Sequence, residues 1–341
     1  MTKKYDTIVY IGRFQPLHNS HLAVIKKALL QAEKVLVLIG SSNQPRTAKN
    51  PFTFQERSDM IRYGLSIEDQ KRVISVPLED SMYNDQAWIA QVQKEVEEVA
   101  GDGKIGMIGH IKDETSYYIK LFPQWEFHDC GYMEILHATE IRDMYFTPGV
   151  NLNYLIGVVS TNVLTFLNEF KKTDAYAQIV REKDFIAKYK KQFDNLPYPP
   201  IFVTTDAVVI QSGHVLMVTR RAEPGKGLLA FPGGFVDAKN DKSIEDAMIR
   251  ELFEETGIKV PEKVLRGNIK QMRVFDAVGR SSRGRTITHA HKIVLSEGEW
   301  ALPKLRAGDD AAKAEWVPIG SIKREEMFED HYDILMYFLG R

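Results

Sequence analysis

Short apolar runs alternating with helical periodicity organise the first half of the chain. Residues 7–11 read as a buried strand, and Leu22, Ile25 and Leu29 then recur at helical spacing. Residues 35–40, 73–76 and 105–108 predict three more strands, and residues 125–127 a fifth. One helix is predicted from about Gln55. Another is predicted over 86–99, where Ile89, Val92, Val96 and Val99 fall near one face. Strands separated by helices predict right-handed crossovers and a doubly wound parallel sheet covered on both sides. From 153 to 193 the pattern is helical and increasingly charged. Residues 196–200 then hold three prolines in four positions, which suits neither helix nor central strand and predicts a stiff connector.

The second half has another rhythm. Residues 201–205, 207–210, 215–219, 287–295 and 314–317 are strand-like, with a turn at Gly213-His214. One clear helix is predicted over 243–256, closed by Gly257, and a last one from about Glu325. This predicts a separate α+β domain. The expected division is 1–195, an α/β domain with a helical extension; 196–200, the linker; and 201–341, the α+β domain.

At 341 residues, two domains are the better expectation. A hydrophobic fraction of 44% with 27% charged residues fits a water-soluble chain, and a net charge of −1 gives no field that would favour nucleic acid or an anionic membrane. The polar N-terminus does not read as a signal peptide, and no apolar run approaches the ~18 residues of a membrane span. The single cysteine, Cys130, excludes an internal disulfide and a cysteine-built zinc site. The expected compartment is the cytoplasm.

Two constellations carry chemistry. The first is Gly12-Arg13-Phe14-Gln15-Pro16-Leu17-His18-Asn19-Ser20-His21, a loop leaving the first strand and opening the first helix, where an open parallel sheet holds phosphate. His18 and His21 lie three residues apart and face one spot. On their own they equally fit a surface pair or a metal pair. Residues 137–142, after the predicted last strand, add Thr139 as a natural N-cap and Arg142 one turn into a helix, a second phosphate clamp on the same edge. Lys112 and Asp113 fall on that edge too, as ligand groups or as solvated charges. Arg46 and Lys49, in a long polar loop, are candidates for a lid.

The second constellation is Gly233-Gly234-Phe235-Val236-Asp237 followed by Arg250-Glu251-Leu252-Phe253-Glu254-Glu255-Thr256-Gly257-Ile258. Glu251, Glu254 and Glu255 cluster on one helical face, where like charges repel unless a cation sits among them. That points to Mg²⁺ or Mn²⁺ with oxygen ligands. An ordinary acidic surface helix would leave Leu252, Phe253, the glycine cap and the upstream Gly-Gly unexplained.

The first motif resembles the H-x-G-H signature of the nucleotidyltransferase superfamily, with Ser20 in place of its glycine, and residues 139–142 resemble its S/T-x-x-I-R signature. The Gly12–Pro16 wording is similar to nicotinamide mononucleotide adenylyltransferases of the archaeal type and their bacterial relatives. The resemblance covers residues 5–150 and implies a Rossmann-like domain that transfers AMP from ATP to nicotinamide mononucleotide. His18, His21, Arg13, Thr139 and Arg142 would hold ATP phosphates, Gly12 and Phe14 would belong to the binding loop, and Mg²⁺ would come with the phosphates. Trp88 would stack on the nicotinamide, unless it is core, and Asn84 would bind the carboxamide. The second motif resembles the Nudix box, which implies a Nudix fold, metal-activated water and hydrolysis of a substituted nucleoside diphosphate. Glu251, Glu254 and Glu255 would hold the metal, with Gly233 and Gly234 under the pyrophosphate. Two departures stand out. Lys242 occupies the place of a glutamate, with Asp241 or Glu245 as stand-ins, and the loop after Gly234 is about two residues longer than usual. Similarity of residues 231–237, 283–285 and 308–318 to ADP-ribose pyrophosphatases makes ADP-ribose the expected substrate.

Together these resemble bifunctional bacterial enzymes of NAD metabolism. Expected partners are ATP, nicotinamide mononucleotide and ADP-ribose, with no nucleic acid and no membrane, and the 153–193 helices are compatible with a homo-oligomer. Two rival expectations are a catalytically weak Nudix domain that senses ADP-ribose, and a different phosphorylated acceptor at the first site.

Overall fold

The computed structural model describes residues 3–110, 119–131, 137–296, 301–308 and 311–340. Lys112 and Asp113 lie outside the described residues. The chain forms two compact units, Met1–Arg181 and Glu182–Arg341. Among the described residues no helix is long and apolar enough to cross a membrane.

The first unit is a five-stranded parallel sheet. Its strands are β1 (Tyr5–Gly12), β2 (Ala32–Ile39), β3 (Val73–Pro77), β4 (Ile105–Gly109) and β5 (Glu126–Asp129), in the order β3-β2-β1-β4-β5. The apolar runs form central strands because both sheet faces are covered. Ile8 and Val35 enter a core on one face, while Val9, Leu36 and Met107 enter a core on the other. Helix α1 (Asn19–Gln31) buries Leu22, Val24, Ile25, Ala28 and Leu29. Helix α2 is Phe54–Tyr63, α3 the single turn Ile67–Gln70, and α4 is Asp85–Ala100. Helices α5 (Ala138–Tyr145), α6 (Thr161–Phe170) and α7 (Asp174–Lys191) follow β5. The strand order reverses between β1 and β4, so the crevice at their C-terminal ends is where such a sheet binds a ligand. The loop carrying His18 leaves from there.

One local expectation changes. Helix α5 is capped by His137 rather than Thr139. The Glu140 carboxylate accepts the His137 N–H at 2.8 Å, so the helix starts earlier and Thr139 lies inside its first turn.

The second unit holds a seven-stranded mixed sheet. Its strands are β6 (Ile201–Gln211), β7 (His214–Arg220), β8 (Leu229–Ala230), β9 (Gly233–Phe235), β10 (Ile269–Phe275), β11 (Arg285–Val294) and β12 (Ala311–Pro318). β6 and β11 run parallel, and the other neighbours run antiparallel. Ser212 and Gly213, both at positive φ, close the β6–β7 hairpin. Helix α8 (Ile244–Thr256) is capped by Ser243 and ended by Gly257 in the left-handed conformation. It buries Met248, Ile249 and Leu252 against Ala207, Val209 and Leu216. Helix α9 spans Glu262–Gly267.

The last helix, α10, spans His331–Leu339, not a segment from Glu325. Met327 is fully buried and bridges to Leu229, and Phe328 N–H donates to the Leu229 carbonyl at 2.8 Å. Strand-like pairing with β8 holds this segment extended, against its local helical preference.

Candidate active sites

In the first unit the loop after β1 is folded by its own side chains. The Phe14 backbone is at φ 52, and a Cβ on Gly12 would stand 2.8 Å from the Phe14 ring. Gly12 thus makes room for the Phe14 ring. Gln15 fixes the loop to Phe52, donating to its carbonyl at 2.9 Å and accepting its N–H at 3.0 Å. Arg57, 1% exposed, ties four carbonyls together: those of Arg13, Gly40, Ser41 and Thr53. In sequence it was one charge among many on α2, and nothing marked it.

On this frame the His18 and His21 rings stack with centroids 3.6 Å apart, and His21 meets Phe14 edge-on. His21 Nδ1 accepts the His18 N–H at 3.3 Å. Burial, with the His137 charge, lowers the His18 imidazole to about 4, and burial holds His21 well below the ordinary range. Both rings are neutral at neutral pH. Among the described residues the buried His18 Nδ1 has no hydrogen-bond partner, and neither does the Ser20 hydroxyl. Arg142 reaches the same loop from the far end of the unit: its Nη1 donates to the Gln15 carbonyl at 2.7 Å and its Nη2 to Thr139 Oγ1 at 3.2 Å. Burial first, then the Arg13 charge, lowers Arg142 to about 10. Lys49 is likewise lowered by burial and by Arg13 and Arg142. Convergent cations beside two neutral imidazoles make an anion site whose polar groups are desolvated in advance. Arg46 stands apart from that group, paired with Glu56 at 2.8 Å.

Asn84 caps α4, its Oδ1 accepting the Ala87 N–H at 3.1 Å. Trp88, one turn on, is half-buried against Phe122 at 5.9 Å.

In the second unit, Glu251 and Glu255 line a cleft of about 540 Å³ together with Gly233 and Gly234. Both glycines are required by close approach. A Cβ on Gly233 would lie 2.1 Å from the Thr205 carbonyl oxygen, and one on Gly234 would lie 2.6 Å from a Glu251 oxygen. Glu255 accepts the Gly233 N–H at 3.0 Å, and burial raises its carboxyl to about 8. Glu251 is also raised, by burial. Glu254 is more exposed and pairs with Arg250 at 2.9 Å. Among the described residues no group of three or more His, Cys, Asp or Glu is gathered closely enough to hold a metal by itself. Arg250 Nη1 donates to both Glu251, at 2.8 Å, and Glu254, at 2.9 Å, while Glu255 is held by the Gly233 N–H.

Of the two candidates to stand in for the glutamate replaced by Lys242, Asp241 contacts the α8 motif and Glu245 does not. Asp241 grips Arg250 through two bonds, Nε to Oδ1 at 2.9 Å and Nη2 to Oδ2 at 2.8 Å, while Glu245 pairs with Arg266. Sequence reading missed several other residues of this cleft. Asp206, buried mid-strand in β6, accepts from the Thr288 hydroxyl. His331 accepts the Phe231 N–H at 3.0 Å. Arg280 forms a fully buried pair with Asp330 at 2.7 Å. They come from a strand, a loop and a helix start far apart in sequence, which no spacing rule connects.

A parallel sheet with a histidine–arginine anion site, followed by a mixed sheet with a glycine-flanked carboxylate helix, defines a nucleotidyltransferase joined to a Nudix module. Residues 9–103 match the family described as Cytidylyltransferase-like, and 201–338 match the NUDIX domain. The chain is 38% identical over 178 residues to a nicotinamide/nicotinic acid mononucleotide adenylyltransferase of Acinetobacter baylyi, covering 52% of this chain and 92% of that one. It is 30% identical over 173 residues to an ADP-ribose pyrophosphatase of Methanocaldococcus jannaschii, covering 51% and 89%. A crystal structure of a bifunctional NMN adenylyltransferase/ADP ribose pyrophosphatase from Francisella tularensis, complexed with AMP and a manganese ion, superposes with a TM-score of 0.91. It is 37% identical and covers 98% of this chain and 99% of that one. The chain belongs to this family of bifunctional NMN adenylyltransferase/ADP-ribose pyrophosphatases.

Proposed function

We propose that the first unit transfers AMP from ATP to nicotinamide mononucleotide, giving NAD and pyrophosphate, and that the second hydrolyses ADP-ribose to AMP and ribose 5-phosphate. The observation that carries this reading is the end-to-end correspondence with the Francisella enzyme, both units included.

At the first site the 5′-phosphate of the mononucleotide attacks the α-phosphorus of ATP and pyrophosphate leaves. No enzyme nucleophile is needed, so the protein's task is alignment and charge stabilisation. His18 donates from its unpartnered nitrogen to a phosphate oxygen, and His21 orients it by stacking. Arg13, Lys49 and Arg142 hold the triphosphate, and Thr139 sets the Arg142 fork. The chain offers neutral donors and delocalised cations here, so Mg²⁺ enters as a companion of the nucleotide phosphates. Trp88 and Asn84 recognise the nicotinamide ring and its carboxamide. Trp88→Ala is expected to raise KM for nicotinamide mononucleotide about tenfold, the scale of one base–aromatic stack, and to leave KM for ATP nearly unchanged. Steady-state titration of each substrate checks this; an unchanged acceptor KM would remove the stacking role.

At the second site the oxygen donors fit a hard divalent ion. Glu251 and Glu255 face one cleft, and burial raises both carboxyls, a cost that a cation offsets. Such an ion, Mg²⁺ or Mn²⁺, supplies charge neutralisation and a more acidic water. Gly233 orients Glu255, Asp241 and Arg250 fix the α8 face, and Glu254, paired with Arg250 as Glu251 is, would be the third residue to hold the ion. The sensor reading draws on Lys242 and the lengthened loop; the grip of Asp241 on Arg250 supports the catalytic reading over it.

Gly234→Ala is expected to lower ADP-ribose hydrolysis by on the order of 10²-fold, because its methyl would displace the Glu251 carboxylate. Product analysis of the intact protein tests the whole reading. It requires NAD from ATP plus nicotinamide mononucleotide and AMP from ADP-ribose; absence of either removes that half.

A further inference from the structure

The hydrolase cleft has a second set of charges that neither motif contains. Arg220, at the end of β7, and Arg283, just before β11, both line it. The Arg220 guanidinium lies 3.9 Å over the Phe328 ring, and its Nε donates to the Pro224 carbonyl at 2.9 Å. Arg283 lies 5.0 Å over Phe235 and 5.9 Å from Phe328. Neither forms an ion pair among the described residues, whereas Arg280 is committed to Asp330. Burial and the Arg283 charge both lower the Arg220 guanidinium. Two guanidiniums held on aromatic faces and near enough to repel, a repulsion that the Glu329, Glu255 and Asp206 charges around Arg220 only partly offset, suit a dianion that reaches both.

The loop that carries Arg220 is fixed from an unexpected place. Gly227 N–H donates to the Arg220 carbonyl at 2.9 Å, and Arg220 N–H to the Leu228 carbonyl at 2.9 Å, so residues 220–228 form a closed lobe. Gly225, at φ 76, presses on Phe328, where a Cβ would stand 2.3 Å from the ring. The Gly225 N–H donates at 3.0 Å to Glu182 Oε2. Glu182 is 7% exposed, lies on α7 and precedes the NUDIX match at 201–338. It begins the second compact unit.

We propose that Arg220 and Arg283 bind the diphosphate of the hydrolase substrate, and that Glu182 is a positioning residue that sets Arg220 through the Gly225 N–H. The substrate class is a nucleoside diphosphate linked to a second group, and this rests on the hydrolase reading above. The required module is then longer than its family match, because part of α7 shapes the cleft.

Calorimetric titration of the full-length protein in EDTA, with ADP-ribose and separately with inorganic pyrophosphate, tests binding without metal or turnover. Arg220→Ala is expected to weaken both ligands on the order of 10- to 100-fold, the scale of lost charge-assisted hydrogen bonds. Arg220→Lys should recover only part of this, because an ammonium lacks the planar fork. Glu182→Ala should weaken ADP-ribose roughly tenfold, and Glu182→Gln, which keeps an acceptor for Gly225, should restore it. With Mn²⁺ the same variants should raise KM more than they lower kcat. Melting of each variant reports folding. Wild-type affinity in Arg220→Ala overturns the proposal while ADP-ribose turnover leaves the hydrolase reading standing. Arg220-dependent pyrophosphate binding without ADP-ribose turnover does the reverse. A wild-type chain that binds neither ligand overturns the proposal, and Glu182→Gln as weak as Glu182→Ala removes the positioning role.

Discussion

Glu255→Gln is expected to lower release of AMP from ADP-ribose by on the order of 10³-fold or more, as for loss of a group that acts directly on the reacting centre. AMP transfer should persist, because Glu255 belongs to the other compact unit. Gln keeps the size and the acceptor for the Gly233 N–H, so the loss isolates the charge. The same substitution should stabilise the metal-free protein. Burial holds Glu255 at about 8 in the folded chain against 4.5 ordinarily. Between those values the folded state binds more protons than the unfolded one, so wild-type stability falls as pH rises through that window. Gln does not titrate. Melting in EDTA should therefore show the variant gaining over wild type from pH 4.5 towards 8 and level above it. Hydrolysis that survives in Glu255→Gln would move the chemistry elsewhere in the cleft.

His18→Ala should reduce kcat/KM for AMP transfer by about 10²- to 10³-fold, the usual loss of one preorganised donor to developing charge. The effect should fall on kcat, since Arg142 and Lys49 still hold ground-state phosphates. His18 is lowered to about 4, so its imidazole stays neutral through the working range and acts through an N–H rather than a fixed charge. Its burial has a stability consequence of opposite sign to that of Glu255. Below the ordinary 6.5 the unfolded chain takes up a proton that folded His18 refuses until about 4, so stability drops as pH falls across that interval. His18→Ala should show a shallower acid slope in melting experiments. A kcat within a fewfold of wild type would return His18 to a packing role.

Much of this was legible locally. The paired histidines of the loop between β1 and α1, and three glutamates on α8, are written in short spacings that backbone geometry turns directly into shared faces. Apolar runs named the central strands, because a sheet covered on both sides admits little else. Errors arose where other partners, distant or local, override a residue's own preference. Residues 325–330 favour a helix in isolation, yet pairing with Leu229 keeps Met327 and Phe328 extended. Thr139 has the chemistry of a cap, but Glu140 bonds back to His137 and gives it to Arg142.

By itself, then, the sequence determined the two folds, the paired histidines and the carboxylate helix, since each depends on residues within a turn or two of one another. Only the tertiary structure decided which groups surround them. Arg142 meets Gln15 across 127 residues, Arg57 binds the carbonyls of two separate loops, and Glu182 reaches Gly225. Long-range hydrogen bonds and the burial that shifts His18 and Glu255 have no periodicity along the chain. They exist only once the sheets and helices have closed.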